Sequence, residues 1–309
     1  MAIGVVFPGQ GSQSVGMLSA LAAAEPVIGT TFAEASAVLG YDLWTLCSAG
    51  PEADLNVTER TQPAMLTAGV AVWRAWRARW SGEPLALAGH SLGEITALVC
   101  AEAMDFQEAV ALVQFRGRVM QEAVPQGQGA MAAILGLEDA AVEAACAAAA
   151  QGQVVEPVNY NSPGQLVIAG DATAVNRAME EAKARGAKRA LLLPVSVPAH
   201  SSLLRPAGQR LAERLAKVAL QTPRWPVYAM GLQRHDSPEH IRDLLVSQLS
   251  SPVRWTDTIL DMLAQGTQRI VECGPGKVLT SLNRRIERNK EIAMVSIDDP
   301  ASLALAAGQ

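Results

Sequence analysis

The chain opens on a short apolar, β-branched run, Ile3-Gly4-Val5-Val6-Phe7, which reads as a buried strand. It breaks at Pro8-Gly9-Gln10-Gly11-Ser12-Gln13, where turn residues are too dense for a strand to continue. Residues 14–80 read as mostly helical, and a helix starting near Gln62 carries Trp73, Trp76 and Trp80 on one face, as packing residues. A second apolar run, 84–88, leads into Gly89-His90-Ser91-Leu92-Gly93-Glu94 and a helix over 92–104. Asp105, with Glu108 three residues on, marks the start of a helix over 106–122. The texture then changes. A strand at 130–135, an alanine-rich helix at 138–151, strands at 154–159 and 165–169, a helix at 171–186 and a strand at 189–193 follow in order. The sequence β-α-β-β-α-β is the ferredoxin-like signature, so a small domain, 125–194, is expected inside a larger one made of 1–124 and 195–309. Beyond it come an extended run between Pro194 and Pro198, a helix at 203–220, a strand at 269–272 and a helix at 277–289.

Composition narrows the function classes. In 309 residues, half are apolar and 18% charged, which describes a globular chain with a substantial core. A formal net charge of −5 argues against a nucleic-acid partner held through phosphates. Cys47, Cys100, Cys146 and Cys273 show no C-x-x-C pairing and read as buried thiols of a reducing compartment. With no basic leader and no membrane-length apolar run, the expected location is the cytoplasm, with no membrane partner.

The candidate chemistry centres on Ser91. Strand, G-x-S-x-G and helix together form the context of a nucleophile elbow, although the same residues suit a plain helix-capping turn. The 8–13 loop lacks both the G-x-G-x-x-G and the P-loop patterns; it either supplies an oxyanion N–H alongside that of Leu92 or only connects strand to helix. Arg116, on the helix after the elbow helix, is a candidate carboxylate ligand or a solvated arginine. Of four histidines, His200 is best placed as general base, His90 adjoins Ser91, and His235 and His240 read as part of a polar loop without metal-ligand spacing. Asn159, Asn161 and Gln165 would face a cleft between the domains, or merely build the 161–164 turn.

Seven motifs occur in order: Phe7-Pro8-Gly9-Gln10-Gly11-Ser12-Gln13, Thr61-Gln62-Pro63-Ala64, Gly89-His90-Ser91-Leu92-Gly93-Glu94, Arg116-Gly117, Asn161-Ser162-Pro163-Gly164-Gln165, Pro198-Ala199-His200-Ser201 and Gly274-Pro275-Gly276-Lys277. Together they resemble the malonyl-CoA:acyl carrier protein transacylases, over nearly the whole chain. The resemblance implies an α/β fold, an α/β-hydrolase-like core with an inserted ferredoxin-like small domain. It implies ping-pong transfer of malonyl from malonyl-CoA to the phosphopantetheine thiol of acyl carrier protein, with no bound cofactor or metal and a monomeric enzyme. Ser91 is then the nucleophile and His200 its base, held by the backbone C=O of Gln248; Gln10 and Leu92 give the oxyanion N–H groups and Arg116 binds the malonyl carboxylate. Gln62, Asn159, Asn161 and Gln165 would line the pocket or meet CoA, and Lys188 and Arg189 would meet its phosphates. Arg284, Arg285, Arg288 and Lys290 either attract an acidic carrier protein or form a solvated helix face. The segment 228–234, Tyr-Ala-Met-Gly-Leu-Gln-Arg, departs from the family's asparagine-centred strand end. A malonate decarboxylase subunit or a polyketide acyltransferase would share these residues. A serine hydrolase would not need Arg116, and an inactive binding module would need none of the three.

Overall fold

The computed structural model describes residues 2–195 and 197–308; Ser196, in the extended run expected between Pro194 and Pro198, and the terminal residues of the larger expected unit lie outside the described residues. Strand β1 (Ile3–Phe7) is buried along its whole length, as suits a strand of a parallel sheet covered on both faces. Helices α1 (Ser19–Ala24), α2 (Pro26–Leu39), α3 (Leu43–Ala49), α4 (Glu52–Leu55) and α5 (Thr58–Arg77) follow. Strand β2 (Ala86–Gly89) runs into α6 (Leu92–Cys100), and α7 (Phe106–Ala123) starts at Asp105, whose carboxylate accepts from the N–H groups of Gln107 and Glu108. Helix α6 stops at Cys100 rather than Met104 because Glu102 turns left-handed, with φ 62°, and the Ala103 N–H reaches back to the Leu98 carbonyl.

Next come β3 (Gly129–Leu135), α8 (Asp139–Ala150), β4 (Val155–Ser162), β5 (Gln165–Asp171), α9 (Ala172–Ala184) and β6 (Arg189–Leu192). Their strands form a separate antiparallel sheet in the order β4-β5-β3-β6. It has its own apolar cluster, in which Ile134, Leu166 and Ile168 meet Val142 of α8 and Val175 of α9. Among the described residues, main-chain hydrogen bonds at Val253 join this unit to the rest: Tyr160 N–H donates to the Val253 carbonyl at 2.9 Å, and Val253 N–H to the Val158 carbonyl at 2.8 Å.

The chain then returns to the first sheet. A 3-10 turn at Ser202–Leu204 precedes α10 (Arg205–Leu215), shorter than the helix expected over 203–220. Strands β7 (Val227–Ala229) and β8 (Gln233–His235), helices α11 (Pro238–Gln248) and α12 (Trp255–Ala264), β9 (Arg269–Cys273), α13 (Val278–Ile286), β10 (Ala293–Ile297) and α14 (Pro300–Ala307) complete it. The atypical 228–234 segment is thus a hairpin turning at Met230 and Gly231, both at positive φ. Strand order is β10-β9-β1-β2-β7-β8, with neighbours parallel except in the β7–β8 hairpin.

Register positions the site. Phe7 pairs with Gly89, so the ends of β1 and β2 bring the 8–13 loop and the Ser91 turn side by side. Helices α5 and α7 cross closely at Gly117, where a Cβ would lie 2.7 Å from Glu59 Cα and 2.7 Å from the Thr58 carbonyl oxygen. This close crossing sets Gln62, one turn on, beside Arg116.

Candidate active site

Ser91 occupies a strained turn, with φ 52° and ψ −111°, at the N-terminus of α6. For a non-glycine residue that conformation costs of the order of 1–3 kcal/mol. It persists because the turn is wedged between main chains: a Cβ on Gly89 would overlap the Gly93 backbone, and one on Gly93 would overlap the Phe7 carbonyl. His90 N–H also donates to the Phe7 carbonyl. Only glycine fits at both flanks, and the serine hydroxyl is held out over the helix end.

His200 meets it from the far side of the cleft. Its Nε2 lies 2.7 Å from Ser91 Oγ, and its Nδ1 lies 2.8 Å from the backbone oxygen of Gln248. A carbonyl only accepts, so Nδ1 carries the proton and Nε2 presents a lone pair to the hydroxyl. His200 is 3% exposed, and burial, with the positive charge of Arg116 second, pushes its pKa down to about 3. The imidazole is therefore neutral at pH 7 and able to take a proton.

Arg116 is 1% exposed. Its Nη1 donates to Gln62 Oε1 and its Nη2 to Gln248 Oε1, each at 2.9 Å, while Nε is buried without an acceptor. Among the described residues no carboxylate lies within ion-pair distance of it. Burial lowers its pKa to about 10, which still leaves it charged at neutral pH. The side chain of Gln248 also donates from Nε2 to the Ser91 carbonyl at 3.2 Å. One residue thus touches serine, histidine and arginine.

A cavity of about 240 Å³ joins these groups. Gln10, Gln62, Ser91, Leu92, Arg116, Asn159 and His200 all line it, and Met120, Met131, Leu193, Val195 and Val197 give it an apolar wall that the sequence reading did not single out. Asn159 Oδ1 is buried without a donor. Asn161 lies behind His90, its Oδ1 2.8 Å from Nε2, and the buried His90 ring has its pKa lowered by desolvation. The remaining expected positions are not brought to the cavity. Gln165 starts β5 at the hairpin tip and binds Arg285 at 2.6 Å. Lys188 and Arg189 stand at the far end of β3, paired with Leu135, whereas the cavity meets that strand at Met131.

His235 corrects the polar-loop expectation. It ends β8 fully buried, its Nε2 2.9 Å from Glu94 Oε1, while His240 is the surface residue and pairs with Asp236. The signal lay in Glu94, the one charged residue on a helix from Leu92 to Cys100 that is apolar apart from Thr96, and a buried face tolerates such a charge only with a partner. Among the described residues no group of three or more His, Cys, Asp or Glu could hold a metal ion.

Residues 5–297 match the family model described as the acyl transferase domain. The malonyl CoA-acyl carrier protein transacylase of Escherichia coli (strain K12) is 54% identical over 302 residues, 97% of each chain. The crystal structure of an acyl carrier protein S-malonyltransferase from Vibrio cholerae superposes with a TM-score of 0.95 at 54% identity, covering 99% of both chains. A malonyl-transacylase solved in complex with a type II PKS acyl-carrier protein superposes at 0.97 with 51% identity, covering 100% of this chain and 99% of its own. Full-length coverage at this identity makes the chain a member of the malonyl CoA-acyl carrier protein transacylases within the acyl transferase family.

Proposed function

We propose that this protein moves a malonyl group from malonyl-CoA to the phosphopantetheine thiol of an acyl carrier protein through a malonyl-Ser91 ester. Ser91 Oγ attacks the thioester carbonyl as His200 Nε2, 2.7 Å away, takes its proton. The Gln10 and Leu92 N–H groups hold the tetrahedral oxyanion, an interaction whose loss costs about 2.7–4 kcal/mol in other acyl-transfer enzymes. Collapse breaks the C–S bond, and the imidazolium returns its proton to the departing CoA sulfur. In the second half the carrier thiol gives its proton to His200 and attacks the ester, and Ser91 leaves with that proton. The backbone oxygen of Gln248 orients the ring where a triad would use a carboxylate. Lys188 and Arg189, outside the cavity, are left for the phosphate end of CoA.

The observation that carries this reading is the buried, carboxylate-free guanidinium of Arg116 beside the Ser91–His200 pair. A hydrolase of simple esters has no use for it, whereas a malonyl thioester brings the missing anion. The strand orders support two finer assignments, an α/β-hydrolase-like core from 1–124 and 195–309 and a ferredoxin-like small domain, 125–194. A carrier protein as acceptor accords with the carrier-bound relative, which also makes a polyketide carrier an alternative to that of fatty-acid elongation. Four free, buried cysteines suit a cytoplasmic protein, and no helix among the described residues is long and apolar enough to cross a membrane.

Intact-protein mass spectrometry after brief mixing with malonyl-CoA tests the reading. One malonyl adduct is expected on the wild type, none on Ser91→Ala, and discharge onto added holo carrier protein. An adduct that water removes at the same rate with or without carrier protein would overturn it in favour of hydrolysis.

A further inference from the structure

Several of the more exposed arginines of this protein pair with carboxylates: Arg60 with Asp54, Arg74 with Glu34 and Arg210 with Glu122. Arg116, the most deeply buried of these four, has only two amide oxygens. This inverts the ordinary expectation that a buried charge is countered by an opposite one. The nearby carboxylate whose field it feels, Glu94, is already held by His235 at 2.9 Å.

Both amides are fixed in orientation. Gln248 Nε2 donates to the Ser91 carbonyl and Gln62 Nε2 faces Met120 Sδ at 3.5 Å, so each Oε1 has to turn toward the guanidinium. Two of the five guanidinium N–H groups are thereby spent on aiming, and Nε–H stays without an acceptor. A glutamate would have the same shape at either position and would bind arginine more strongly. It would also cancel the charge that a substrate carboxylate has to find.

We infer that the side chains of Gln62 and Gln248 are positioning residues that set acyl specificity: they aim Arg116 with neutral acceptors and so reserve its full charge for the malonyl carboxylate. This rests on the malonyl-transfer reading above. It assigns the Gln248 side chain a role separate from that of its backbone oxygen, which holds His200.

The test is Gln62→Glu against Gln62→Met, a change of similar volume without charge, with acylation of Ser91 by malonyl-CoA and by acetyl-CoA followed in single turnovers by mass spectrometry. In Gln62→Glu the malonyl-to-acetyl ratio of rates should fall by about 100-fold or more, the equivalent of losing one or two charge-assisted hydrogen bonds. It should fall from both sides, since an internally paired Arg116 no longer disfavours acetyl. Gln62→Met, which gives up one of the two aiming acceptors but leaves the charge free, should lower the ratio far less and keep it malonyl-favouring. In an Arg116→Ala background, Gln62→Glu should no longer lower the ratio, because the charge it cancels is gone. Gln248→Glu is the parallel arm should Gln62→Glu fail to fold, with melting temperature as the check. Equal loss of both acyl groups in the glutamate variants, or a fall in Gln62→Met as large as in Gln62→Glu, overturns the inference. A wild type that malonyl-CoA does not acylate overturns the reading beneath it, whereas an acylated wild type with an unchanged ratio in the variants overturns the inference alone.

Discussion

Replacing Arg116 by alanine separates substrate choice from chemistry. The side chain makes no hydrogen bond to Ser91 Oγ or to the His200 ring; its hydrogen bonds run to Gln62 and Gln248. Its removal leaves the 2.7 Å Ser91–His200 contact and the 2.8 Å Gln248 contact in place. What disappears is the proposed anion site. A bidentate carboxylate makes two charge-assisted hydrogen bonds, each contributing about 1.5–3 kcal/mol, so malonyl transfer should lose about 3–6 kcal/mol of transition-state binding. At 1.36 kcal/mol per decade that is a fall of about 10²- to 10⁴-fold in kcat/KM. Acetyl-CoA moves the other way, because the wild type must bury Arg116 unpaired when acetyl binds and the variant need not. Parallel kcat/KM measurements with the two thioesters and one carrier protein give the comparison. Arg116→Lys should fall between, since a point charge cannot reproduce the planar fork. An equal loss for both thioesters in Arg116→Ala would refute the reasoning and make Arg116 a structural residue of the dyad.

Gly93→Ala, whose Cβ would overlap the Phe7 carbonyl, should displace the elbow, lowering the melting temperature by several degrees and abolishing Ser91 acylation. Because the folded protein holds His200 at a pKa of about 3 while an unfolded chain titrates near 6.5, the unfolded state alone takes up this proton below pH 6.5. Stability should therefore fall as pH drops from about 6.5 toward 3, at a rate approaching 1.4 kcal/mol per unit, and His200→Gln should flatten that slope in thermal melts. Above pH 6.5 the residue is neutral in both states and contributes no slope. Glu94→Ala strips a fully buried histidine of its partner and should cost about 1–3 kcal/mol in denaturant titration, with Glu94→Gln restoring part of it.

The elbow was legible in the sequence because its geometry needs small residues at fixed offsets, Gly89 and Gly93, although a plain helix-capping turn suits the same residues and only the backbone packing around them separates the two. His200 and Arg116 carried no such local constraint. What joins them to Ser91 is the crossing of α7 with α5 at Gly117 and the approach of α11, contacts between residues over a hundred positions apart in the case of Arg116 and Gln248. The side-chain work of Gln62 and Gln248 was hidden for that reason, since a glutamine in a helix has no pattern that marks it as buried. His235 misled because Asp, Ser and Pro follow it immediately, while its burial comes from β7 pairing across a hairpin. Strand β10 escaped because Ala293-Met294-Val295-Ser296-Ile297 is an edge strand, with Ala293 and Val295 only half-buried. Gln165 was expected near the cleft on the strength of the adjacent Asn161; β4 and β5 run antiparallel, and the hairpin tip instead carries it to Arg285.

The two main-chain bonds between 158–160 and Val253 give the cavity a stiff corner. Val253 lies five residues after Gln248, and Asn159 stands between the two bonded residues of β4. Asn159, which lines the cavity, and the segment that follows the Gln248 carbonyl are therefore tied together by one short ladder. The backbone amides of Tyr160 and Val253 should accordingly exchange with deuterium as slowly as those of the central strands. A pantetheine arm would then thread a fixed slot instead of waiting for the smaller sheet to swing aside.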